Sequence, residues 1–286
     1  MKILSFGEII WDIYDDQKCL GGAPLNFAAH CAVLGAKTWL ISSVGNDDLG
    51  KEAIHNINQF NVNTQYITLS QKETGKCIVK LNENSVPIYD IVDNVSYDYI
   101  QLPHITDEFD VIAFGTLALR KENNKNILTQ ILKTHSFSEI FTDLNIRKPF
   151  YSKENILFCL QNATIVKISD EEMPIISETI YGEYSNPEDA VLQLCSSFRQ
   201  IKLIIVTMGE KGSFCYDCKE NSFEYCDAQP TNVVSTVGAG DSFGASFLVK
   251  YMENNSYSQC LEFASKVSAF VCSKAEAVPQ NMPFNP

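Results

Sequence analysis

The chain has 286 residues, 45% of them hydrophobic and 20% charged, with 22 Lys and Arg against 35 Asp and Glu for a formal net charge of −13. Such a length and apolar content suit one large core, so a single α/β domain over residues 1–286 is expected. An acidic surface repels phosphate backbones and anionic lipid, so no nucleic-acid or membrane partner is expected and any anionic ligand needs a local site.

Met1 to Ile10 contains one Lys and already carries Glu8, without the basic segment, apolar run and cleavage site of a secretion signal. No apolar run is long enough to span a bilayer. A cytoplasmic location is expected, with the ten cysteines reduced and mostly buried.

In chain order, Lys2 to Glu8 is a strand ending near Gly7, and Pro24 to Leu34 has a helical period with Phe27, Ala28, Cys31 and Leu34 on one face. Thr38 to Val44 is strand-like and Leu49 to Phe60 helical. Between Thr64 and Tyr99 come strand-like runs, Pro87 and polar turns, which predict a small β excursion. Alternation resumes with strands at Asp110 to Phe114, Ile140 to Leu144 and Thr164 to Ile168, separated by helices at Asn123 to Lys133 and Ser152 to Leu160. Leu203 to Thr207 is an apolar strand, short strands surround Phe214 and Phe223, and helices cover Ser242 to Met252 and Ser258 to Ser273. The tail Asn281 to Pro286 reads as extended. This alternation predicts a mainly parallel sheet with helices on both faces.

Thr236-Val237-Gly238-Ala239-Gly240-Asp241-Ser242-Phe243 places small residues where a helix begins. Bare backbone N–H groups there can close on an anion, aided by the helix dipole. The Asp241 carboxylate could take the proton of an attacking hydroxyl; equally, it could be an ordinary N-cap. The second cluster, Gly21-Gly22-Ala23-Pro24-Leu25-Asn26, strips the backbone and then supplies one amide side chain, which suits a ligand bearing hydroxyls, or a plain glycine turn before a Pro-initiated helix. Gly45 to Lys51 has Walker A spacing, but Glu52 replaces the Ser or Thr and two aspartates would repel phosphate, so it reads as a turn and helix start. Cys215, Cys218 and Cys226 lack a fourth ligand nearby and read as a hairpin, not a zinc knuckle.

Together the two glycine clusters resemble the N- and C-terminal signatures of the ribokinase/phosphofructokinase-B family, at Gly21 to Asn26 and Val233 to Phe247. Further matches lie between and around them: Glu8 with Asp12, the Gly45, Asp47, Gly50 trio, Asp143 with Asn145 and Arg147, Lys167 with Glu172, and Thr207 with Gly209 and Gly212. The resemblance implies a three-layer α/β/α domain with a small β lid, formed by roughly 11–20 and 74–99. It implies an ATP-dependent sugar kinase with Asp241 as base and the amides of Gly238, Ala239 and Gly240 as the hole for the transferring phosphate. Asp12, Gly21, Gly22, Asn26 and Arg147 would hold the sugar. Lys167, Thr207, Gly209 and Gly212 would line the nucleotide, and Glu172 would support Mg2+ through water.

Two positions depart from the family pattern. Ser169 replaces a common Asn beside Glu172, and Ser235 replaces an Asp associated with a monovalent-cation site, which puts cation activation in doubt. The Gly-Gly-Ala-Pro-x-Asn pattern is most similar to fructokinases, with 2-keto-3-deoxygluconate kinase or ribokinase as alternatives and an inactive sugar-binding protein as the alternative of another class. A homodimer through the lid is the further partner the resemblance suggests.

Overall fold

The computed structural model describes residues 1–15, 17–81 and 87–284. Its first unit is β1 (Lys2–Phe6), α1 (Ala23–Val33) and β4 (Lys37–Gly45), with β2 (Ile10–Ile13) and β3 (Lys18–Gly21) diverging between β1 and α1. α2 (Asp48–Gln59), β5 (Val62–Asn63) and β6 (Ile67–Ser70) follow, then β7 (Gly75–Leu81) and β8 (Pro87–Ile91). The chain returns through β9 (Val111–Phe114), α3 (Glu122–Thr134), β10 (Glu139–Asp143), α4 (Lys153–Asn162) and β11 (Ile165–Ser169). α5 (Met173–Tyr181), α6 (Pro187–Ser197), β12 (Leu203–Thr207), the hairpin β13 (Ser213–Asp217) and β14 (Ser222–Cys226), α7 (Ala239–Met252) and α8 (Tyr257–Cys272) complete it.

The main sheet runs β14-β13-β12-β11-β10-β9-β1-β4-β5, with β6 also on β4; the β12–β13 and β13–β14 pairings at one edge are antiparallel and the others are parallel. Its strands are apolar on both faces because both are covered. Ile3, Val111, Ile165, Leu203 and Ile205 pack with Phe27 of α1, Phe243 and Phe247 of α7 and Leu261 of α8. Their neighbours Leu4, Ile112, Val166, Ile204 and Val206 face Leu128 of α3, Ile156 of α4, Ile176 of α5 and Leu194 of α6. This is the expected three-layer α/β/α architecture, and it places β1 at the point where strand order reverses. In open α/β sheets the ligand crevice opens there, beyond the strands' carboxyl ends.

A second sheet, β3-β2-β7-β8, stands off the main one. It occupies the ranges expected for a lid, although residue 16 and residues 82–86 of those ranges lie outside the described residues. Asp47 joins the two sheets. Its carboxylate caps α2 through the Gly50 amide at 2.8 Å and accepts from the Thr74 amide at 2.8 Å and hydroxyl at 2.6 Å. That occupation explains why the Walker-like spacing at 45–51 is a capped turn.

Two expectations are corrected. α5 and α6 were not anticipated between the strands at 164–168 and 203–207. The cysteines are not all free thiols, since Cys195 of α6 and Cys218 after β13 are paired as a disulfide with a Cα separation of 5.8 Å. The tail expected to be extended has no helix or strand over residues 281–284, where Phe284 packs edge-on against Phe263 and Phe270 of α8, and residues 285 and 286 lie outside the description. Among the described residues no helix is long and apolar enough to cross a membrane.

Candidate active site

The carboxyl ends of β1, β10, β11 and β12, the N-terminus of α7 and the inner face of the second sheet enclose a cleft of about 1060 Å³. The residues assigned from the sequence to catalysis, sugar, nucleotide and metal line it: Asp12, Gly21, Gly22 and Asn26 at one end, Arg147 beside them, Lys167, Glu172, Thr207, Gly209 and Gly212 along the other, and Gly238, Ala239, Gly240 and Asp241 between.

α7 begins three residues earlier than expected, because Gly238 adopts a left-handed φ of 79° and acts as its N-cap. Asp241 is therefore not the cap. Its carboxylate instead accepts a hydrogen bond from Asn26 Nδ2 at 2.8 Å, across 215 residues of sequence. The donor is fixed because Asn26 is 5% exposed on α1, whose start is set by Gly22 at φ 114°. A Cβ on Gly22 would lie 2.5 Å from the Glu8 carbonyl oxygen, so only a bare backbone lets this loop seat against β1's exit.

Among the described residues the amides of Gly238, Gly240 and Asp241 have no backbone partner, as helix N-termini require. The Ala239 amide, expected in the anion hole, donates to the Thr236 carbonyl at 3.2 Å, so the free donors are shifted toward Asp241. Lys167 reaches the same place: a Cβ on Gly240 would be 3.3 Å from its Nζ. Lys167 is 4% exposed and pairs with Asp143 at 2.8 Å. Burial opposes its charge, but Asp143, Glu172 and Asp241 outweigh that and hold its pKa above the ordinary value, so it is a cation. Asp241 is pushed up by burial, against the Asn26 bond and the charges of Lys167 and Arg147. Burial makes this carboxylate more basic, while Asn26, Lys167 and Arg147 favour its charged form, a setting that suits proton abstraction.

Glu172 is braced by its surroundings. Oε2 accepts from the Ser169 amide at 2.9 Å and hydroxyl at 2.8 Å, and Oε1 accepts from the Ile146 amide. Ser169, noted from the sequence as a departure from the family pattern, thus holds Glu172 locally. Among the described residues no group of three or more acidic, His or Cys side chains could cage a metal. Glu172 and Asp143 on the cleft wall fit Mg2+ only as an ion that keeps waters and rides on phosphate. Asp143 was not among the assigned site residues: it was visible only as part of a motif, and its pairing with the assigned Lys167, one strand over on β11, was not legible.

A doubly covered, mainly parallel sheet, a second smaller sheet and a helix end with unpartnered amides beside a buried carboxylate match the ribokinase-like fold class. The fructokinase of Vibrio cholerae, solved with fructose, ADP and calcium, superposes with a TM-score of 0.84 at 21% identity over 98% of this chain and 95% of its own. Residues 4–284 match the pfkB family carbohydrate kinases, and the chain belongs to that family. An uncharacterized sugar kinase of Pyrococcus horikoshii is 30% identical over 270 residues, 86% of this chain and 81% of that protein. Its structure in complex with ATP has a TM-score of 0.80, covering 96% and 94% of the two chains. Fructokinase-2 of Zea mays is 25% identical over 312 aligned positions, 97% of this chain and 90% of that protein.

Proposed function

We propose that the protein transfers the γ-phosphoryl group of ATP to a hydroxyl of a small sugar, fructose in the first instance, with Asp241 as general base. The observation that carries this reading is the junction of the two glycine clusters, Asn26 on Asp241 at 2.8 Å, with unpartnered amides and a buried cation beside them. The sugar lies against Asp12, Gly21, Gly22, Asn26 and Arg147, and the nucleotide along Lys167, Thr207, Gly209 and Gly212. Asp241 takes the proton as the sugar oxygen bonds to phosphorus and the bond to the departing ADP oxygen breaks. The α7 N-terminus and Lys167 stabilise charge on the transferring oxygens. Glu172 would hold Mg2+ through water, and the ion would supply neutralising charge at the phosphates.

The sheet β3-β2-β7-β8 acts as a lid, keeping water from the phosphoryl group, and a homodimer would form through it. Support for fructose comes from the named fructokinases among the relatives, at about one quarter identity. Arg147, which makes no ion pair among the described residues, favours a sugar acid such as 2-keto-3-deoxygluconate as the second reading.

The test measures ATP consumption against fructose, 2-keto-3-deoxygluconate, ribose, adenosine and fructose 6-phosphate. Fructose should give the highest kcat/KM. Asp241→Asn should keep ATP affinity and lose about two orders of magnitude or more in turnover. A near-normal rate in that variant removes Asp241 as the base, and a preference for fructose 6-phosphate removes the fructose assignment.

A further inference from the structure

Glu8 follows β1 at the strand-order reversal and is 3% exposed, yet it lines the cleft beside Asp12, Gly22 and Asn26. It also lines a small pocket of about 20 Å³ behind the cleft, shared with Pro24, Gly115, Asp143 and Asp241. The Gly22 turn that presents the sugar-facing loop rests on the Glu8 backbone carbonyl. None of the roles proposed above uses this side chain.

Resting on the sugar-kinase reading, we infer that Glu8 is a further acceptor-binding residue that works as a neutral carboxyl, giving one hydrogen bond to a sugar oxygen and taking one from a sugar hydroxyl. A carboxylate could only accept, and would stand as a second anion beside the base. The groups facing it set this state. Asp241 on α7 repels a charge on Glu8, while Arg147 beyond β10 and the amides of Glu8 and Ala23 favour one. Tyr97, in the short turn after β8, is also within its electrostatic reach. Asp12 on β2 and the Asp143–Lys167 pair line the same walls. Burial dominates and raises Glu8 to about 7. The two acids would then do different work, Glu8 binding and Asp241, whose charged form Asn26 and Lys167 favour, abstracting.

Sugar affinity should therefore be full below this value and weaken by about tenfold per pH unit above it, the slope of one ionisation. The experiment is calorimetric titration of fructose into wild type, Glu8→Gln and Glu8→Ala from pH 6 to 9, with thermal melts to confirm folding. Gln keeps one donor and one acceptor without charge, so its affinity should match the low-pH wild type and stay flat. Ala should weaken sugar binding about tenfold or more at all pH values. A flat wild-type profile, an unchanged alkaline limb in Glu8→Gln, or wild-type affinity in Glu8→Ala would each overturn the role of Glu8 while leaving the sugar site standing. No sugar binding by wild type at any pH, with fructose or the rest of the panel, would overturn both.

Discussion

Ser235 bears on the question of a monovalent cation through the charge it does not carry. Its hydroxyl accepts the Val237 amide at 3.2 Å and its amide donates to the Cys272 carbonyl at 3.2 Å, so it builds the turn that leads to Gly238. A hard cation beside that turn would find a neutral hydroxyl and carbonyls, without the carboxylate that similar proteins provide. The wild type is expected to show weak or no activation by potassium, and Ser235→Asp to gain it. Titrating potassium against an inert organic cation at constant ionic strength checks both; strong saturable activation of wild type would refute the charge argument. At this scale residue types were legible but partners were not. The Gly-rich runs announced Asn26 and Asp241, whereas their contact is made only by packing α1 beside α7. Glu8 was visible as part of a pattern, but its burial, which gives it chemistry, depends on strand order.

Among the elements, the start of α7 carries the sharpest requirement. Gly238 has φ 79°, and a Cβ there would meet the Ala277 carbonyl oxygen at 2.6 Å. Ala277 cannot retreat freely, because His30 on α1, buried and pushed down by that burial to about 4, holds the same carbonyl at 2.9 Å. Gly240 differs: its backbone is helical, and its added Cβ would meet only the flexible end of Lys167 at 3.3 Å. Gly238→Ala should lower unfolding free energy by about 2–4 kcal/mol, combining left-handed strain with overpacking. Gly240→Ala should change it by less than about 1 kcal/mol, since alanine favours a helix, while crowding the cleft. Denaturant melts decide; equal stabilities would mean the loop holding Ala277 yields. The sequence located most helices within a few residues but passed over α5 and α6. For α6 the signal was present, with Asn186 capping through the Asp189 amide at 2.9 Å and Pro187 at the first turn. α5 is short and apolar around most of its surface, so it lacks a polar stripe to reveal its period.

Across the whole molecule, the α/β class was legible because strands covered on both faces must be apolar throughout, as Leu203 to Val206 are. The order of those strands, and the Cys195–Cys218 pairing it brings about, were not, since neither leaves a local pattern. Net charge was legible at once, and it has a kinetic consequence. The formal charge is −13, and the cleft wall carries Glu8, Asp12, Asp143, Glu171, Glu172, Glu210 and Asp241 against Arg147, Lys148 and Lys167. An approaching nucleotide therefore meets repulsion at long range and attraction only within reach of the α7 N-terminus and Lys167. The screening length falls from about 30 Å at 0.01 M salt to about 8 Å at 0.15 M, which removes the long-range repulsion and leaves the buried cation little affected. The association rate of ATP should accordingly rise with ionic strength over that range, by a factor on the order of two to ten, while that of a neutral sugar stays constant. Stopped-flow binding of a fluorescent ATP analogue, with fructose as the uncharged control, measures both. A nucleotide rate that falls with salt would show that the cleft's own cations steer the ligand and outweigh the acidic surface.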